Sequence, residues 1–70
     1  MKAHLTLSEN GILIAKLETG ERILCSDARK MAEQLRLAGV TTDELTATDW
    51  KTDPEHAPMS GQIVTIKAAL

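Results

Sequence analysis

The residues best suited to chemistry lie between positions 49 and 56, where Asp49, Asp53, Glu55 and His56 fall within one short stretch. Carboxylates and an imidazole are ligands for divalent cations, so a small ligand-binding or metal-binding domain built on this acidic loop is one function the sequence admits. The spacing argues against it. The stretch lacks the glycine and closing glutamate of a calcium-binding hand, and His56 has no helical partner histidine with which to share a zinc ion. A solvated acidic loop is the better reading, and neither a metal ligand nor a cofactor is assigned.

Cys25 stands beside Ser26 just ahead of a predicted helix, a location that can activate a thiol. It has no general base next to it in any recognisable nucleophile motif; His4 and His56 are distant in the chain. Cysteine on a buried face behaves as a small hydrophobe, and that is the reading preferred here. Serine, histidine and aspartate occur without a G-x-S-x-G, P-loop or G-x-G-x-x-G pattern. No catalytic residue is assigned and no enzyme is expected. Trp50 is the only aromatic side chain, because the sequence has no Phe and no Tyr. A chain this poor in large residues needs its tryptophan for packing, so a core or half-buried anchor is expected, with an exposed binding anchor as the rival.

These residues must be positioned by a chain of 70 residues, read as a single domain over 1–70. A domain of this size buries only about 60% of its unfolded surface, so each apolar side chain carries weight. One cysteine excludes a disulfide within the chain. With 8 Lys and Arg against 10 Asp and Glu, the formal charge is −2, which lacks the basic footprint of a nucleic-acid binder. No apolar run approaches the roughly 18 residues of a membrane span. No nucleic acid and no membrane are expected, and the unpaired cysteine suits a cytoplasmic location.

Apolar runs flank Asn10-Gly11, the strongest short hairpin cue, and a two-residue turn there sets Leu7 against Ile14 and Leu5 against Lys16. A second turn at Glu18–Glu21 leads into Arg22-Ile23-Leu24-Cys25. Pairing Leu17 with Arg22 then puts Leu5, Leu7, Ile12, Ile14, Ile23 and Cys25 on one face. Leu13, Ala15, Leu17 and Leu24 fall on the other. Ser26 as N-cap, Asp27 in the first turn and apolar residues at Ala28, Met31, Ala32, Leu35 and Ala38 predict a helix over 27–38, stopped at Gly39. Thr41 and Glu44 have capping-box spacing, but a turn followed by a strand at Leu45–Trp50 is preferred. Residues 51–61, with Pro54, Pro58 and Gly61, read as loop, and Gln62–Lys67 as a last strand.

The expected architecture is therefore an α+β two-layer sandwich. An antiparallel sheet in the order β-β-β-α-β-β would carry one helix on one face. That helix cannot cover the face bearing Leu13, Ala15, Leu17 and Leu24, extended by Ile63. A bare apolar face marks an interaction site unless the loop over 51–61, with Trp50 and Met59, folds back across it. Leu13, Ala15, Leu17, Leu24 and Trp50 are the expected protein interface, for a second copy in a homodimer or for another protein. The function expected is a small non-enzymatic protein-interaction module: a regulator, inhibitor or accessory protein of the kind encoded by phages and mobile elements.

Overall fold

The computed structural model describes residues 1–70. Four strands, β1 (Ala3–Leu7), β2 (Leu13–Leu17), β3 (Arg22–Cys25) and β4 (Leu45–Ala47), form one sheet in the order β3-β2-β1-β4. Two helices, α1 (Ala28–Leu37) and α2 (Ser60–Ala69), complete an α+β fold. The sheet is mixed, not wholly antiparallel, since β4 lies parallel to β1. A short turn reverses a strand, whereas the long connection from β3 through α1 delivers β4 to the far edge pointing the same way as β1.

The two hairpins decide which side chains meet. In the first, the Ser8 amide donates to the Ile12 carbonyl at 2.8 Å and the Gly11 amide to the Ser8 carbonyl at 3.0 Å. The Ser8 hydroxyl also accepts from the Ile12 amide at 3.1 Å. The loop is therefore Glu9-Asn10-Gly11, one residue longer than the expected two. Gly11 has φ +79° while Asn10 is not left-handed, so the two adjacent left-handed residues of a type I′ turn are absent. The second hairpin repeats this geometry: Leu17 donates to the Glu21 carbonyl at 2.8 Å around Glu18-Thr19-Gly20, and Gly20 has φ +95°.

The longer turns correct the expected register. Leu5 lies opposite Ala15 and Leu7 opposite Leu13, not opposite Lys16 and Ile14. Likewise Ala15 lies opposite Ile23, and Lys16, not Leu17, opposite Arg22. Because side chains alternate along a strand, a slip of one residue turns the whole of β2 over. Leu13, Ala15 and Leu17 consequently join Leu5, Ile23 and Cys25 on the covered face. The second slip undoes the first for β3, so Ile23 and Cys25 remain where expected.

Helix α1 begins one residue later than predicted. Asp27, not Ser26, is its N-cap, and its carboxylate accepts from the Arg29 amide at 2.8 Å. The expected ending is present: Gly39 donates to the Arg36 carbonyl and Val40 to the Leu35 carbonyl, each at 3.0 Å. These are the paired bonds of a Schellman motif, and buried Val40 packs into the same core cluster as Leu35. At Thr41–Glu44 both competing signals are realised in sequence. Thr41 donates from its amide and hydroxyl to the Glu44 carboxylate at 3.2 and 3.0 Å. A single 3-10 turn, Thr42–Glu44, then runs directly into β4.

The expected last strand over 62–67 is helical and lies within α2. Ile63-Val64-Thr65-Ile66 has the β-branched composition of a strand, but a short apolar run of this kind does not distinguish the two periods. Ile63, Ile66 and Leu70 fall on one helical stripe; Ile66 is fully buried in the core and Leu70 packs against it. Local bonds support the same outcome. Gln62 accepts the Met59 amide through its side chain at 2.9 Å, and the Thr65 hydroxyl bonds back to the Gly61 carbonyl at 2.8 Å.

Helix α1 packs on β2, β3 and α2. The resulting core joins Leu5, Leu13, Ala15 and Leu17 from the sheet to Met31, Ala32 and Leu35 of α1 and Ile66 of α2. In urea titrations, Leu13→Ala is expected to remove about 2–5 kcal/mol of stability, while Leu24→Ala on the other face changes it by less than about 0.5 kcal/mol. Equal losses at the two positions would contradict this register.

Candidate functional site

Of the five residues expected at an interface, three are in the core. Leu13 and Ala15 are 0% exposed and Leu17 is 5% exposed, so these side chains are not available to a partner in this fold. Leu24 and Trp50 are open to solvent, at 61% and 67%. The exposure of Trp50 overturns its expected role as a core or half-buried anchor. Its place is taken by aliphatic packing, with Met31, Leu35 and Ile66 all fully enclosed.

The loop after β4 does not fold across the sheet. It runs beside β1: Thr48 donates to the Leu5 carbonyl at 3.0 Å, and after an excursion His56 accepts from the Leu7 amide at 2.9 Å. His56 thus continues the edge of β1 where β4 ends, and Ala57 and Pro58 are buried beyond it. Trp50 borders an open groove of about 310 Å³ with Thr48, Asp49, Pro58, Ile63 and Lys67.

Within the loop the acidic residues are dispersed. Asp49 accepts from the Lys51 amide at 2.9 Å, and Asp53 pairs with His56 Nδ1 at 2.9 Å. No three His, Cys, Asp or Glu side chains converge on a common point where a metal ion could sit. The Asp53 hydrogen bond, followed by its charge, raises the His56 pKa above the usual histidine value. Cys25 is half-buried against the core, on the side of the sheet opposite His4. His4 therefore does not serve it as a base.

What remains open is the sheet face turned away from the helices. Thr6, Ile14 and Leu24 form one row across β1, β2 and β3. His4, Lys16 and Arg22 form the next, with Thr46 of β4 beside His4. The imidazole of His4 is held between two hydroxyls, Nδ1 to Thr46 Oγ1 at 2.7 Å and Nε2 to Thr48 Oγ1 at 3.1 Å. The expected register placed Ile14 on the helix-covered face and so missed it as a residue of the open one. The signal was the polar Lys16 itself, whose place in β2 marks alternate positions as solvent-facing.

At the end of this face, Lys2, His4, Lys16, Glu18, Glu44 and Thr46 line a second open groove of about 330 Å³. Its carboxylates are already engaged: Glu18 by the Lys2 amide at 3.1 Å, and Glu44 by the Met1 ammonium at 2.9 Å and by Thr41. The Met1 hydrogen bond, then those from Thr41, hold the Glu44 pKa below the usual carboxylate value. No helix is long and apolar enough to cross a membrane. No family model, curated protein sequence or solved structure matches the chain.

Two measurements check this placement. Trp50 fluorescence is expected to peak close to that of tryptophan in water and to move little on unfolding; a blue-shifted maximum would contradict its exposure. The His56 imidazole, followed by NMR, is expected to titrate above an ordinary histidine and to fall back in Asp53→Asn. A raised folded-state pKa means that the pair contributes its stability fully below the usual histidine value, and loses it as pH rises through the shifted one. An unchanged titration in Asp53→Asn would show that the carboxylate is not the cause.

Proposed function

We propose that this chain is a non-enzymatic protein-interaction module that engages its partner through the open face of the sheet. The observation supporting this reading is that both helices share one face, leaving the Thr6, Ile14 and Leu24 row of the other uncovered. Ile14 and Leu24 are direct cross-strand partners, and Leu24 is 61% exposed. Enclosing a leucine of this kind is worth about 1.5–3 kcal/mol, which a partner gains and the isolated chain forgoes. The outer edge of β3 has no strand beside it, so backbone groups next to Leu24 are also free to pair.

A small regulator, inhibitor or accessory subunit working in the cytoplasm, where an unpaired cysteine is at home, fits this size and surface. The partner is a second copy or a different protein. Sedimentation velocity over a concentration series, on the wild type and on Leu24→Glu, separates the cases. A dimer that dissociates in Leu24→Glu supports self-association through this face. If both are monomers, a partner cross-linked to the wild type and lost with Leu24→Glu supports a heterologous complex. A dimer or cross-linked partner retained equally by the variant would overturn the use of this face.

A further inference from the structure

Lys16 and Arg22 occupy opposed positions on adjacent antiparallel strands. The neighbouring bonds show which kind of pair this is. Leu17 donates to Glu21 across the same two strands, so the next pair along, Lys16 and Arg22, is a non-hydrogen-bonded one. Side chains approach most closely in such pairs. Two like charges directly opposite one another destabilise a sheet. Neither residue makes an ion pair within the chain. The only ion pairs are Met1 with Glu44 and His56 with Asp53, and the carboxylates bordering this end of the face, Glu18 and Glu44, are held by amides, a hydroxyl and the Met1 ammonium.

Two residues along the strands, a distance of about 7 Å, lies the apolar pair Ile14 and Leu24. By the same alternation it too is a non-hydrogen-bonded pair with its side chains close together. The face therefore presents an apolar row beside a cationic one. Resting on the reading of this face as the contact surface, we propose that its partner is an acidic amphipathic protein segment. Its apolar side chains seat on Ile14 and Leu24, and its carboxylates lie over Lys16 and Arg22. The bound carboxylates would balance two like charges that stand at opposed positions without an ion-pair partner in the chain.

The test uses an 18-residue amphipathic peptide of Leu, Glu and Ala, a matched peptide with Gln for every Glu, and a thymidine oligonucleotide, each titrated into the labelled full chain by NMR. The acidic peptide is expected to shift the amides of Ile14, Lys16, Arg22 and Leu24, and to bind about tenfold more tightly than the Gln peptide. Lys16→Gln with Arg22→Gln is expected to erase that tenfold preference while leaving the fold at least as stable as wild type, since a repulsion is removed. A double variant less stable than wild type would show the pair to be structural and overturn the proposal. Equal binding of the two peptides at these amides would overturn the acidic partner and keep the face as a contact surface. Shifts from the oligonucleotide alone would overturn a protein partner. Peptide shifts confined to the groove beside Trp50 would overturn both this inference and the reading it rests on.

Discussion

The structure depends on a turn of three residues. Gly11 in a left-handed conformation, with Ser8 bonded to Ile12 on either side of it, fixes how far β2 is displaced along β1. The period of a strand is two, so that displacement decides whether Leu13, Ala15 and Leu17 meet the helices or the solvent. Everything further follows from the choice. With those three inward, β2 lays small Ala15 between two leucines, leaving room for Met31 and Leu35 of α1 and for Ile66 of α2. With them inward, Ile14 and Lys16 must also face out, and the open face acquires its apolar and cationic rows.

Much of this architecture was legible from residue types. The first helix could be read from the acidic N-cap region, the apolar spacing from Ala28 to Ala38 and the Gly39-Val40 ending, and its boundaries moved by a single residue at each end. Both hairpins could be read from their glycines. Their loop lengths were not fixed by composition, since Asn-Gly serves a two-residue turn with both residues left-handed as well as a three-residue turn with only the glycine so. Matching polar positions between strands resolves the ambiguity. His4 and Thr6 in β1, Lys16 in β2 and Arg22 in β3 share a face only in the longer-turn register. Local turn preference carried the opposite weight, and burial of three apolar side chains prevailed over it.

The segment 60–69 failed to be legible for a different reason. Ile63-Val64-Thr65-Ile66 satisfies strand composition locally, and what it becomes is settled by which neighbours it meets. The edge of β1 that a further strand could have used is taken by β4 and then by His56. The remaining apolar opening lies beside α1, and Ile63, Ile66 and Leu70 can address it together only at a helical spacing. Trp50 was misplaced by a composition argument. The lack of other aromatics suggested it was needed inside, yet methionine, leucine and isoleucine fill a core of this size without it. The interface expected from sequence accordingly divides: Leu13, Ala15 and Leu17 pass to the core, Leu24 stays exposed on the open sheet face, and Trp50 borders a separate groove beside α2.

Cross-strand NMR contacts between α-protons test the register most directly, because they are strong only between residues in non-hydrogen-bonded antiparallel pairs. The account predicts strong contacts joining Leu5 to Ala15, Leu7 to Leu13, Ile14 to Leu24 and Lys16 to Arg22. Contacts joining Thr6 to Ala15 or Ser8 to Leu13, the non-hydrogen-bonded pairs of a two-residue turn, would instead turn β2 over, empty the core of Leu13 and Leu17, and contradict the account at its base.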